Sequence, residues 1–249
     1  MADIILLLVA AFAAGILNTI AGGGTFLTFP ALVFVGVPPV MANATATLVA
    51  LPGYVAGTAG FAQEMRSFGR RQLLRLTLIS AVGGAAGALL LSVSSNQAFS
   101  ALVPFLLLGA TLVFTYGDAL RKWAAKHSRD VTPEGAFGLF LVSLYGGYFN
   151  GGLGIVLLAL FTLWGMENIH RMNGLKMWAS SVIAAVCLLI FAGGGMLDWG
   201  KALLMMVAVT IGGYLGAPLS RALPITAVKR FITLVGFGMT AIFFARLWL

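Results

Sequence analysis

AGILNTIAGGGTFLTFPALVFVGVPP (residues 14–39) is the stretch on which the fold turns. An apolar run from Ile4 to Ile20 carries Asn18 and Thr19 near its end and stops at Gly22, Gly23 and Gly24. A short apolar piece, Phe26–Val35, follows, and then Gly36-Val37-Pro38-Pro39. Each glycine costs a helix interior about 1 kcal/mol relative to alanine, so three in succession predict a helix break. The surrounding blocks are apolar enough for a membrane, and broken backbone at membrane depth persists only where protein or a water-lined cavity covers it. The stretch therefore predicts a helix break beside a binding site.

Composition supports a membrane setting. The 249 residues are 60% hydrophobic and 9% charged, with a mean hydropathy of +1.02, whereas a soluble domain carries about 25% charged residues. The apolar residues fall in long blocks, which predicts transmembrane helices rather than the alternation of a membrane barrel. The net charge is +8, but the basic residues sit in short loops between apolar blocks, as in cytoplasmic loops of membrane proteins, and not in a nucleic-acid-binding patch. Cys187 is the single cysteine, so neither an intrachain disulfide nor a CxxC metal site is available. No basic segment precedes Ile4, so no cleaved signal peptide is read.

Outward from the triple glycine, the chain reads as an all-α polytopic membrane protein of two repeats, 1–116 and 135–249, joined by a polar cytoplasmic linker, 117–134. The first repeat continues with Met41–Ala62, kinked at Pro52-Gly53, then Leu73–Val93 and Ala98–Tyr116. The second opens with Gly135–Asn150, breaks at Gly151-Gly152-Leu153-Gly154, and resumes with the short Ile155–Trp164. Met172–Ala192, Ala202–Ala222 and Ile225–Leu249 complete it. Gly15-Ile16-Leu17-Asn18 aligns with Gly147-Tyr148-Phe149-Asn150, Gly22 with Gly154, and Asn43 with Asn173 after a small shift. Repeats with a broken helix in the same place point to a transporter. Five segments per repeat invert the second copy. Placing loop 63–72 in the cytoplasm puts every Lys and Arg except Lys201 and Arg246 at or near that side, which satisfies the positive-inside rule.

The candidate site residues follow from the breaks. Asp3, Glu64, Asp118, Asp130, Glu134, Glu167 and Asp198 all lie near segment ends, so the intramembrane carboxylate of many cation pumps is missing. A helix that starts after a glycine turn offers free N–H groups and a positive dipole end. Thr25 begins one such helix after Gly22, Gly23 and Gly24, and Ile155 another after Gly152 and Gly154. Asn18, Asn43, Thr45, Thr47, Asn150 and Asn173 are neutral donors that complete an anion site. Lys176, one turn past Asn173 in an apolar segment, either counters the anion's charge or snorkels to the inner headgroups. His170 reads as a loop residue, and Trp164, Trp178, Trp199 and Trp248 as interface anchors.

These residues carry a family resemblance. AGILNTIAGGGTFLTFPALVFVGVPPVMANATATLVAL (14–51) and GGYFNGGLGIVLLALFTLWGMENIHRMNGLKMWASS (146–181) resemble the two signatures of the sulfite/organosulfonate exporter family, TauE/SafE, over the whole chain. The second departs from the first: it has Gly154-Ile155-Val156 in place of a glycine triplet and Thr162 opposite Pro30. Gly22–Gly24 is therefore expected to carry the larger share of binding. The resemblance implies a permease of the bacterial inner membrane that moves small sulfur-containing anions such as sulfite or sulfoacetate. The expected partners are the small anionic substrate and the lipid bilayer, with no nucleic acid and no cofactor, and the oligomeric state is left open. A metal-cation permease would need grouped ligands such as Met205-Met206. An integral-membrane enzyme would need a nucleophile–base pair, which one cysteine and two loop histidines do not supply.

Overall fold

Glycine, proline and asparagine punctuate the apolar blocks into eleven helices among the described residues. The computed structural model describes residues 1–20, 23–117, 119, 122–123, 135–222 and 225–248. Gly22, most of the linker 117–134 and Pro224 lie outside them. The first half comprises α1 (Ala2–Ile20), α2 (Thr25–Phe34), α3 (Pro39–Gly60), α4 (Ala62–Met65), α5 (Arg70–Ser92) and α6 (Asn96–Thr115). The second comprises α7 (Ala136–Tyr148), α8 (Leu153–Leu163), α9 (Ile169–Gly193), α10 (Trp199–Ala222) and α11 (Ile225–Trp248). There is no strand among the described residues. Four helices, in α3, α5, α6 and α9, are long and apolar enough to cross a membrane by length and composition.

The short helices are half-spans. α2 has 10 residues and α8 has 11, so each is about 15 Å long at 1.5 Å per residue, half of a ~30 Å hydrocarbon core. Both end in the same turn. The Val37 N–H reaches the Leu32 carbonyl and the Gly36 N–H reaches Val33, with Gly36 at φ +85°. In the second half Met166 reaches Phe161 and Gly165 reaches Thr162, with Gly165 at φ +79°. This is the Schellman closure, in which a left-handed glycine satisfies the last open carbonyls. At the other end of the chain's punctuation, Pro39 occupies the first position of α3, where its missing N–H costs nothing. Asn168 caps α9 by accepting from the His170 and Arg171 N–H groups.

The two halves pack by exchange. α1 lies against α10 as α7 lies against α5; α3 meets α9; α6 meets α11; and α2 touches α11 as α8 touches α6. Each of these pairings maps onto its counterpart when the halves are swapped, as a pseudo-two-fold arrangement of repeats requires. Glycine sets the closeness of the outer pairs. A Cβ at Gly147 would meet the carbonyl oxygen of Gly84, and one at Gly15 would meet that of Val209. Small residues of this kind let membrane helices approach backbone to backbone. Gly147→Ala is expected to lower the thermal unfolding midpoint of the purified protein, because overpacking costs about 1–3 kcal/mol. An unchanged midpoint would mean that the α5–α7 contact is not tight.

The structure corrects two sequence readings and adds to a third. The third segment, read as Met41–Ala62, ends at Gly60, and the separate one-turn helix α4 follows. The helix after the second break begins at Leu153, not Ile155, so Gly154 lies inside its first turn. Trp178, read as an interface anchor, is also an interhelical tie: its indole N–H donates to Thr77 Oγ1 at 2.8 Å, joining α9 to α5.

Candidate functional site

The two breaks meet. Thr25 Oγ1, at the start of α2, donates to the Asn150 carbonyl at 3.4 Å, and a Cβ at Gly152 would come 3.6 Å from the Phe26 ring. Between them lies a small polar pocket of about 10 Å³. Asn18 of α1, Gly23 and Thr25 of the first break, and Tyr54 of α3 form one side. Asn150, Gly152, Leu153 and Gly154 of the second break form another, and Lys176, Met177 and Ser180 of α9 close it. None of these lining residues is acidic.

The two breaks are not chemically equivalent. In the first, the Asn18 side-chain oxygen accepts the Gly24 N–H at 2.8 Å and the Gly23 N–H at 3.2 Å. Phe26 and Leu27 donate to the Gly23 and Gly24 carbonyls. The donors at this helix start are thus largely occupied from within the chain. Gly23 sits at φ +154°, a conformation that side chains other than glycine's rarely adopt. In the second, Gly152 caps α8 in the left-handed region at φ +73°, and no side chain caps the helix. The Gly152 and Gly154 N–H groups make no hydrogen bond to the described residues. Among the described residues, the Gly152 and Gly154 N–H groups at the start of α8 are thus open, while those of Gly23 and Gly24 are occupied.

Two side chains complete the electrostatics. Asn150 is 3% exposed; its Oδ1 accepts the Tyr54 hydroxyl at 3.3 Å, which leaves Nδ2 buried without a partner. Lys176 is 6% exposed and has no hydrogen-bond or ion-pair partner among the described residues. Its stem passes Gly154, where an added Cβ would sit 3.2 Å from Lys176 Cδ, so the glycine makes room for the lysine. A buried charge without a partner costs several kcal/mol, and an unpaired buried amide donor costs about 1–3 kcal/mol. The pocket thus concentrates a cation, an amide donor and the positive end of a half-helix, all lacking acceptors.

The remaining residues singled out in the sequence serve the scaffold. Asn43 Nδ2 donates to the Tyr148 carbonyl at 2.9 Å and so satisfies the open end of α7 where it breaks. Thr47 Oγ1 bonds back to the Asn43 carbonyl, and Thr45 Oγ1 accepts the Asp198 N–H, tying α3 to the start of α10. Asn173 is half-buried and does not line the pocket. Gly22 lies outside the described residues. Conversely, Tyr54, Met177 and Ser180 escaped the sequence reading. Ser180 had a signal, since it follows Lys176 by four residues and shares its helix face. Tyr54 followed the Pro52-Gly53 pair already marked as a kink.

Beside this pocket lies a second cavity of about 410 Å³ between α1, α3, α9 and α10, and Asn18, Tyr54 and Met177 line both.

Comparison with known proteins bears on what such a site serves. The family model described as sulfite exporter TauE/SafE matches residues 7–243. A probable membrane transporter protein, ORF9, of a Sinorhizobium species is 32% identical, covering 98% of this chain and 95% of its own. A probable membrane transporter protein of Haemophilus influenzae is 30% identical over 92% of this chain and 90% of its own. The probable membrane transporter protein YfcA of Escherichia coli K12 is 28% identical, with 93% and 86% covered. No solved structure matches the chain.

Proposed function

The chain belongs to the sulfite exporter TauE/SafE family and is a multi-pass membrane transporter protein, and on that premise we propose that it moves small sulfur-containing anions, such as sulfite and short organosulfonates, across the bacterial inner membrane. One observation carries the anion reading. Lys176 is buried without a counter-charge in a pocket that both helix breaks share, with Asn150 Nδ2 and the open start of α8 beside it. An oxyanion supplies the acceptors that all three lack. The same lysine weighs against a metal cation, which it would repel.

Residues 1–116 and 135–249 act as inverted repeats joined by the cytoplasmic segment 117–134. A pocket of about 10 Å³ holds at most about one water. Substrate entry therefore requires the repeats to move apart, with the bond between Tyr54 and Asn150 opening as they do. Alternating access by rocking of the repeats meets this need. Purified protein in liposomes is expected to give saturable uptake of labelled sulfite, inhibited by short sulfonates. Absence of saturable flux from correctly folded protein would refute the proposal.

A further inference from the structure

We propose that the physiological substrate is an amphiphilic organic anion, with its sulfonate-class head in the Lys176 pocket and an apolar tail in the adjoining cavity. The inference rests on the anion reading of that pocket and adds the nature of the tail. A bare oxyanion is served by the polar pocket alone. The neighbouring cavity, at about 410 Å³, has the size of a site for an organic ligand (about 300–1,000 Å³). Its walls include Pro52, Phe61, Met177 and Val209, with the exposed Ala56, Thr210 and Tyr214 at its mouth, and carry no charged residue. Apolar cavities favour apolar occupants over water. The two spaces share a wall, since Asn18, Tyr54 and Met177 line both, and parting of the Tyr54–Asn150 bond would join them. A head bound at Lys176 therefore sends its tail past Tyr54 and Met177 into the larger cavity. The α3 part of that cavity is its C-terminal half, from Pro52 onward, the end that the basic loops place toward the cytoplasm. The tail accordingly points to the cytoplasmic side.

The test is a series of methane-, propane- and hexanesulfonate as inhibitors of labelled sulfite uptake into proteoliposomes, free of detergent that would itself fill the cavity. Each added methylene is expected to tighten inhibition by about threefold to fourfold, the value of burying one CH₂. A Cβ at Gly53 meets nothing within 4 Å on a residue that lines the cavity, so Gly53→Leu projects into the tail space. That variant is expected to bring the ratio of hexane- to methanesulfonate inhibition close to one. Gly60→Leu, also facing open space in the cavity wall, is the second variant if the first does not fold. A flat series in the parent protein would overturn the proposal and point to a lipid chain as the occupant. A steep series that both leucine variants retain would overturn it as well, by placing the tail elsewhere. If neither sulfite nor methanesulfonate interacts at all, the headgroup reading fails and the tail inference falls with it, a result distinct from a flat series.

Discussion

Lys176→Met is expected to weaken anion binding at least about a hundredfold while making the protein more resistant to heat. The two effects have one cause. The lysine is buried with no partner among the described residues, and desolvating it costs several kcal/mol. Methionine has nearly the same length and no charge, so it fills the same space beside Gly154 without that cost. Replacing buried ionic groups with apolar ones of similar volume is commonly neutral or stabilising by about 1–4 kcal/mol, and each kcal/mol moves the midpoint by about 2–4 °C in a chain of this size. With the anion present the sign reverses, because removing one member of a buried charge pair costs about 3–5 kcal/mol. Thermal denaturation of parent and variant with and without sulfite measures both arms. Sulfite should stabilise the parent and leave the variant unmoved. A variant that is less stable without ligand and still responds to sulfite would show Lys176 to be a packing residue.

The second large effect is expected from Gly23→Leu, which should reduce transport below about one per cent of the parent rate while the protein still inserts into the membrane. Gly23 holds φ +154° and its N–H is fixed on the Asn18 side-chain oxygen. Backbone strain there costs about 1–3 kcal/mol for a residue with a side chain. Gly23 also lines a pocket of about 10 Å³, which leaves little room for a leucine, and overpacking adds about 1–3 kcal/mol. Relief of either strain pulls the first break away from Asn150 and Gly152, so the site is lost even if the bundle survives. Membrane fractionation and proteoliposome flux, measured together, separate the two outcomes. Normal flux would reduce the glycine stretch to a place where helices cross.

The sequence was informative where the physics is local. Long apolar blocks broken by Gly22–Gly24 and Gly151–Gly154 are enough to place the helices to within a few residues, because burial in lipid leaves the backbone no alternative to helix. The repeat was also legible from Gly15 and Asn18 against Gly147 and Asn150. The division of labour between the breaks was not. Asn18 and Asn150 occupy matching positions, yet one caps its own break and the other bonds Tyr54 across the repeats. Which donor an amide oxygen finds depends on tertiary contacts that no spacing reveals. Asn43, Thr45 and Thr47 illustrate the same limit. Polar residues in a membrane helix point to a site, but these three satisfy the open end of α7, the start of α10 and their own helix. Breaking a helix creates orphan backbone groups, and part of the polar complement serves those groups instead of a substrate.

The anion is proposed to sit at one position, between Lys176, Asn150 and the start of α8. Selenite is the heavier analogue of sulfite, and its selenium scatters anomalously. A structure of the full chain bound to selenite, under conditions where selenite competes for sulfite transport, locates the substrate head without reference to any mutation. A single selenium peak within hydrogen-bond reach of Lys176 Nζ and Asn150 Nδ2 is the predicted result. A peak elsewhere in the protein, with that pocket unchanged, would contradict it.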